Sequence, residues 1–195
     1  MSARRIADNL LRPFQLERSS LRGRLVRLGG VLDQILTRHD YPEPVGALLG
    51  ELLVLAAALA GGLRFKGTFS LQAQGAGPIS LILADYTHDG TMRGYARFDR
   101  ERITAGADIG TLLGDGRLAL TVDQGDGGTA YQSIVELRGA SLTECMQAYF
   151  RQSEQLKTGL QIAVDRINDG TERRWRGGGL MVQRLADQAR DEFDE

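Results

Sequence analysis

The sequence predicts an α+β fold in three layers, a β/α/β sandwich with one helix buried between sheets. Three observations lead there. From Val45 to Leu63 the chain is almost entirely Val, Gly, Ala and Leu, broken by a single charge, Glu51. At about 1.5 Å of rise per residue this makes a helix with no polar side, which needs cover all round. Phe65 to Gln74 alternates cleanly, with Phe65, Gly67, Phe69, Leu71 and Ala73 on one face and Lys66, Thr68, Ser70, Gln72 and Gln74 on the other. That is the mark of a strand with one wet face. Seven or more strand-like segments accompany the helix, and a two-layer fold would leave one of its sides in water.

Lipid is the other medium able to surround such a helix, since a span needs about 20 apolar residues. Glu51 interrupts the run, and a charge at mid-membrane costs about 2.5–3.5 kcal/mol. The uncharged stretch, Leu52 to Leu63, is short for a span, and no second candidate exists. Protein is therefore expected to cover the helix. Pro42 and Pro44 suit its first turn, where their missing N–H groups cost nothing. Gly61-Gly62 closes it, followed by Arg64 and Lys66 at the negative end of its dipole.

Ahead of this helix, Ser20 to Leu28 reads as a strand and Val31 to His39 as a short helix, with Leu32, Ile35, Leu36 and His39 at helical spacing. After Phe65–Gln74, the turn Gly75-Ala-Gly-Pro78 leads into an apolar strand, Ile79 to Ala84. His88-Asp-Gly90 turns the chain into Met92 to Phe98, where Met92, Gly94, Ala96 and Phe98 share a face. Leu118, Leu120 and Val122 mark a further strand, and Gly125–Gly128 forms a hairpin-like turn into Tyr131 to Leu137. The spacing predicts an antiparallel, meander-like series. Ser141-Leu-Thr-Glu144 is a capping box, and Leu142, Cys145, Met146, Tyr149 and Phe150 form the apolar stripe of the helix it starts. Strands Leu160 to Val164 and Leu180 to Leu185, parted by a turn at Asn168–Gly170, complete the domain. The chain thus divides into a domain over 1–186 and a linker start or disordered tail over 187–195.

Composition narrows the function. With 195 residues, 42% hydrophobic and 25% charged, the chain suffices for one domain with a sizeable core. A net charge of -1 argues against nucleic acid as the main partner. The arginine-rich first forty residues and the acidic end, Asp187 to Glu195, read as solvated surface. The start carries no apolar signal segment, so a cytoplasmic location is expected. One cysteine excludes a disulfide framework and an all-cysteine metal site.

Candidates for chemistry are few. Cys145 falls on the apolar stripe of its helix, where a free cysteine acts as a small hydrophobe. His39 is read as a helix C-terminal cap and His88 as a turn residue, and nothing pairs them at metal-ligand spacing. Asp85, Asp89, Asp115 and Asp126 are read as turn carboxylates. Neither Gly75-Ala-Gly77 nor Gly177-Gly-Gly179 continues as a phosphate-binding loop. Glu51 is either a functional acid or, as expected here, the partner of an arginine from a neighbouring strand. No catalytic, cofactor-binding, metal-ligating or client-contacting residue is assigned.

Several motifs carry a resemblance. They are Arg22-Gly-Arg-Leu-Val26, His39-Asp-Tyr-Pro-Glu-Pro44 running into the apolar helix, Leu71-Gln-Ala-Gln-Gly75 with Gly77-Pro78, Met92-Arg-Gly-Tyr-Ala-Arg97, Tyr149-Phe-Arg-Gln-Ser-Glu-Gln155 and Gly178-Gly-Leu-Met181. In order and spacing, from about Leu16 to Leu185, the chain resembles the redox-regulated heat-shock holdase chaperones of bacteria, the thirty-three-kilodalton heat-shock protein family. The resemblance implies a non-enzymatic, ATP-independent chaperone, cytoplasmic and able to homodimerise, that holds unfolding client proteins under oxidative and heat stress. It also implies a β/α/β substrate-binding domain like the one read from the helix. The family's switch is a C-terminal zinc module with Cys-x-Cys and Cys-x-x-Cys. This chain has none of those cysteines, and Cys145 matches none, so zinc and redox sensing are not carried over. The expectation is a truncated form, the substrate-binding domain alone, with an apolar patch left open to clients. The rival readings are a structural homo-oligomer without client binding, and an enzyme using Cys145 or Glu51.

Overall fold

The computed structural model describes residues 8–184 apart from 126, 127, 129, 156, 169 and 171. At its centre lies α2, Glu43–Ala60, with Pro42 as N-cap and Pro44 in its first turn. Every residue from Leu52 to Ala60 is buried. Among the described residues it is the one helix long and apolar enough to cross a membrane, and 78% of it is buried inside the protein. Cover comes from sheets on both sides.

One sheet has four antiparallel strands, β1 (Leu10–Leu16), β2 (Leu21–Leu28), β8 (Thr158–Asn168) and β9 (Arg173–Arg184), in the order β1-β2-β9-β8. The other has five, β3 (Thr68–Gln74), β4 (Ile79–Thr87), β5 (Met92–Phe98), β6 (Arg117–Val122) and β7 (Tyr131–Glu136), in the order β5-β4-β3-β6-β7. Helix α2 packs on strands of both. Two helices join it in the middle layer. The short α1, Gly30–Thr37, buries Leu32, Ile35 and Leu36 against α2, β9 and β5. The amphipathic α4, Leu142–Gln152, buries Leu142, Cys145, Met146 and Phe150 and bridges β8 of one sheet to β7 of the other. A single turn, α3 (Ile109–Leu113), seats its three apolar residues beside β4. The α+β three-layer expectation is met, and the buried helix is the reason.

The structure amends the reading in several places. Strand β1 was not anticipated, because Arg12 and Pro13 interrupt its apolar pattern; it is an edge strand, where proline is tolerated. The five-stranded sheet is not a plain meander, since the chain crosses after β5 to add β6 on the far side of β3. Asp85 sits within β4, not in a turn, and is 2% exposed. The capping box is offset: Ser141 Oγ accepts from Glu144 N–H, but the Glu144 carboxylate accepts from Ala140 N–H. The final hairpin is far longer than expected, and Gly177–Gly179 lies inside β9. A Cβ on Gly177 would stand 2.7 Å from Val54 Cγ2 and 2.8 Å from Leu32 Cδ2, and one on Gly179 would stand 2.7 Å from Val54 Cγ1. These glycines let the helix approach the sheet backbone closely. Their signal was steric, not a loop.

At the C-terminal end of α2, Arg24 of β2 turns inward and donates from Nη1 to the Ala58 carbonyl at 3.0 Å. A cation there answers the orphan carbonyls and the negative end of the dipole. The expected turns at 125–128 and 168–170 fall partly, and Leu185 and the tail over 187–195 wholly, outside the described residues.

Candidate functional site

The residues first singled out for chemistry do not meet. Cys145 is 1% exposed in the core, and burial, with Glu144 nearby, pushes its thiol pKa up. A thiol so held is a poor nucleophile. His39 lies beyond the end of α1 rather than capping it, its ring 5.4 Å from that of Tyr41 and 6.1 Å from that of Tyr95. His88 is exposed in the turn after β4. The arginine expected beside Glu51 is not found: among the described residues its carboxylate has no ion-pair or hydrogen-bond partner. It instead lines a concavity with Glu43, Asp108, Ala105 and Ser141, and desolvation raises its pKa. Among the described residues no three His, Cys, Asp or Glu side chains are placed to hold a metal ion.

What the fold does assemble is a surface. On the four-stranded sheet, strand alternation sends Val26, Leu28, Leu160, Trp175 and Met181 inward. The outward set is apolar as well. Leu25 and Leu180 face each other across β2 and β9, 44% and 42% exposed, between Arg12 of β1 and Gln161 of β8. The next outward row is Phe14, Gly23, Val182 and Gly159. A Cβ on Gly23 would collide with the Phe14 ring at 2.2 Å, so that ring lies flat over the strand. Leu16, opposite Leu21 at one corner, extends the grease and is 50% exposed, while Ile167 stands apart on β8 opposite Arg174, with the Asp165–Arg176 pair between it and the patch. Arg27, Arg176 and Arg184 stand among these rows on the same face, and the aliphatic stems of such residues cover apolar ground while their heads stay wet.

The outer face of the five-stranded sheet is built differently. Its middle row, Arg93, Asp85, Ser70, Thr121 and Gln132, is polar across all five strands. Asp85 accepts from Ser70 Oγ and from Arg93 Nε, each at 2.5 Å, and Gln132 donates to Thr121 at 3.0 Å. The neighbouring outward row, Tyr95, Leu83, Gln72, Ala119 and Ile134, is mixed, with Tyr95 and Ile134 exposed and Gln72 between them. Contiguous exposed apolar surface marks an interaction site, and the four-stranded sheet offers it where two leucines stand side by side on adjacent central strands. Sequence reading missed this patch because its leucines alternate with core residues that are no less apolar.

Comparison with known proteins places the chain. The Hsp33 protein family model matches residues 8–195. A 33 kDa chaperonin of Caulobacter vibrioides is 43% identical over 97% of this chain and 65% of its own length. One from Azotobacter vinelandii is 42% identical over 91% of this chain and 57% of its own. The chain thus spans less than two thirds of these relatives. The crystal structure of a 33 kDa chaperonin from Thermotoga maritima superposes with a TM-score of 0.77 at 26% identity, covering 91% of this chain and 61% of that one. A buried helix between two sheets, the motifs from Arg22 to Met181 and these matches agree: the chain belongs to the Hsp33 protein family.

Proposed function

We propose that this domain is an ATP-independent holdase: it binds unfolding proteins in the cytoplasm and keeps them from aggregating. The observation that carries this reading is the outward apolar face around Leu25, Leu180, Phe14 and Val182. A holdase must accept unrelated clients, so its attraction has to be non-directional, and apolar burial supplies about 25 cal/mol per Å² without demanding a sequence. The arginines among the leucines keep the face soluble when empty. Homodimerisation is part of the proposal, with the patch left free. Catalysis is not, since Cys145 is packed in the core with its thiol pKa raised. The described residues do not fit the family's zinc, because their one cysteine is buried and they hold no cluster of three metal-ligating side chains.

Light scattering from a heat-denatured client tests the reading. The chain should suppress aggregation without nucleotide, and equally under reducing and oxidising conditions. Suppression that appears only after oxidation overturns it. Dye binding to exposed apolar surface should hold steady as protein concentration rises; a loss on association would instead favour a homo-oligomer that hides the face.

A further inference from the structure

Beyond the C-terminal end of α2 the two sheets part and leave a cleft of about 370 Å³. Its volume lies in the range of ~300–1,000 Å³ usual for small-ligand sites. The walls include Leu59, Phe69, Leu120 and Phe150, and the base includes Arg24. Arg24 is 9% exposed, yet no carboxylate among the described residues pairs with it. Only Nη1 is used, on the Ala58 carbonyl and on Met181 Sδ at 3.6 Å. Arg166 Nε is the one fully buried side-chain N or O without a partner among the described residues, so the unused Arg24 donors are not sealed in. Gly62 leaves them room, since a Cβ there would fall 1.6 Å from Arg24 Nη2.

Arg22 lines the same cleft, likewise without a described carboxylate partner, and its charge repels that of Arg24. Two like charges beside a low-dielectric wall are an arrangement that an anion relieves. One acid, Glu154, also lines the cleft, but its Oε1 accepts from the Tyr149 hydroxyl at 2.7 Å.

We propose that this cleft binds a carboxylate carried on an apolar body, the anionic end against Arg24 and Arg22 and the apolar body against Leu59, Phe69 and Phe150. The site is separate from the client face, which lies on the other side of the four-stranded sheet. The probe is decanoate below its micellar concentration, titrated into the chain by calorimetry beside uncharged decanol. Decanoate should bind one per chain and at least about tenfold more tightly than decanol, because charge-assisted hydrogen bonds discriminate strongly where water is scarce. Arg22→Gln should weaken decanoate several-fold. Leu63→Asp, at a position 46% exposed on the cleft wall and no threat to the core, should weaken it at least about tenfold. Leu180→Asp, on the client face, should leave it unchanged. Equal affinity for decanoate and decanol overturns the proposal, as does decanoate binding that survives Leu63→Asp or is lost in Leu180→Asp. Aggregation suppression should persist in Leu63→Asp, so this test and the holdase test fail separately.

Discussion

Across the middle of the five-stranded sheet the outward residues run Arg93, Asp85, Ser70, Thr121, Gln132; across the middle of the four-stranded sheet they run Arg12, Leu25, Leu180, Gln161. The inner faces differ in the opposite sense. The five-stranded sheet meets α2 with Phe69, Leu71 and Ile82, all buried, whereas the four-stranded sheet meets Val54 with Gly177 and Gly179. One sheet places its bulk inside and an unbroken polar row across its outside. The other thins its centre so that the helix can come close, and keeps leucines on the outside where they contribute nothing to the core. Exposed leucine that the core does not need is what the proposed holdase face requires, and it ties the asymmetry of the sandwich to that proposal.

The largest effects should come from the inner faces. Leu71→Ala empties a fully buried site and should cost about 2–5 kcal/mol of unfolding free energy. Gly177→Ala should cost about 1–3 kcal/mol by the reverse mechanism, a methyl forced against Val54 and Leu32. Urea unfolding of both variants checks the contrast; a neutral Gly177→Ala would break it, because the helix would then not need the glycine. Next comes the outer polar row. Asp85→Ala removes the acceptor of Ser70 Oγ and Arg93 Nε and should cost about 1–3 kcal/mol, mostly through the half-buried hydroxyl, since the Arg93 side chain is 77% exposed and its ion pair is screened.

How much of this was legible in the sequence depends on whether the signal is one of period or of contact. The apolar run of α2 has no period, and that absence itself demanded a sheet on each side. Strands such as β3 alternate against polar neighbours, so period alone shows them, although the strand begins at Thr68 and residues 65–67 lie ahead of it. Strand β9 looks short in sequence because Gly177–Gly179 reads as a breaker when only propensity is considered; the reason for Gly177 and Gly179 is Val54, far away in the chain. Asp85 reads as a turn carboxylate in sequence for the same cause, its partners Ser70 and Arg93 being supplied by neighbouring strands. The proposed client face is hidden by its own composition, because Leu25 beside Val26 gives no hint which points outward. The register with β9, set by tertiary pairing, decides it.

Smaller stability effects sharpen the functional side of the comparison. Leu25→Asp and Leu180→Asp should each change stability by no more than about 0.5 kcal/mol, as surface substitutions do. Each should nevertheless reduce client holding in the light-scattering assay, and the pair should abolish it. Gln132→Asp on the opposite sheet should alter neither property. Equal loss from Gln132→Asp would mean that general surface charge, not the apolar face, governs holding.

The smallest effect concerns Glu51, the one charge within α2 beyond its first residue, Glu43. Desolvation raises its pKa and no described cation offsets it, so the folded chain holds the neutral acid more tightly than the unfolded chain does. Where the folded state binds more protons, unfolding free energy falls as pH rises. The stabilising contribution of the protonated form is therefore complete below the ordinary carboxylate range and is lost as pH climbs through the raised value. Glu51→Gln abolishes that loss. It should match the parent chain in acid and exceed it toward neutral pH, by less than about 1 kcal/mol because the carboxylate opens onto a concavity rather than the core interior. Urea midpoints of the two proteins across pH 4 to 7 measure the divergence. Parallel curves would mean that Glu51 finds a counter-charge in solution, and the lone acid would then be the paired residue that the sequence first implied.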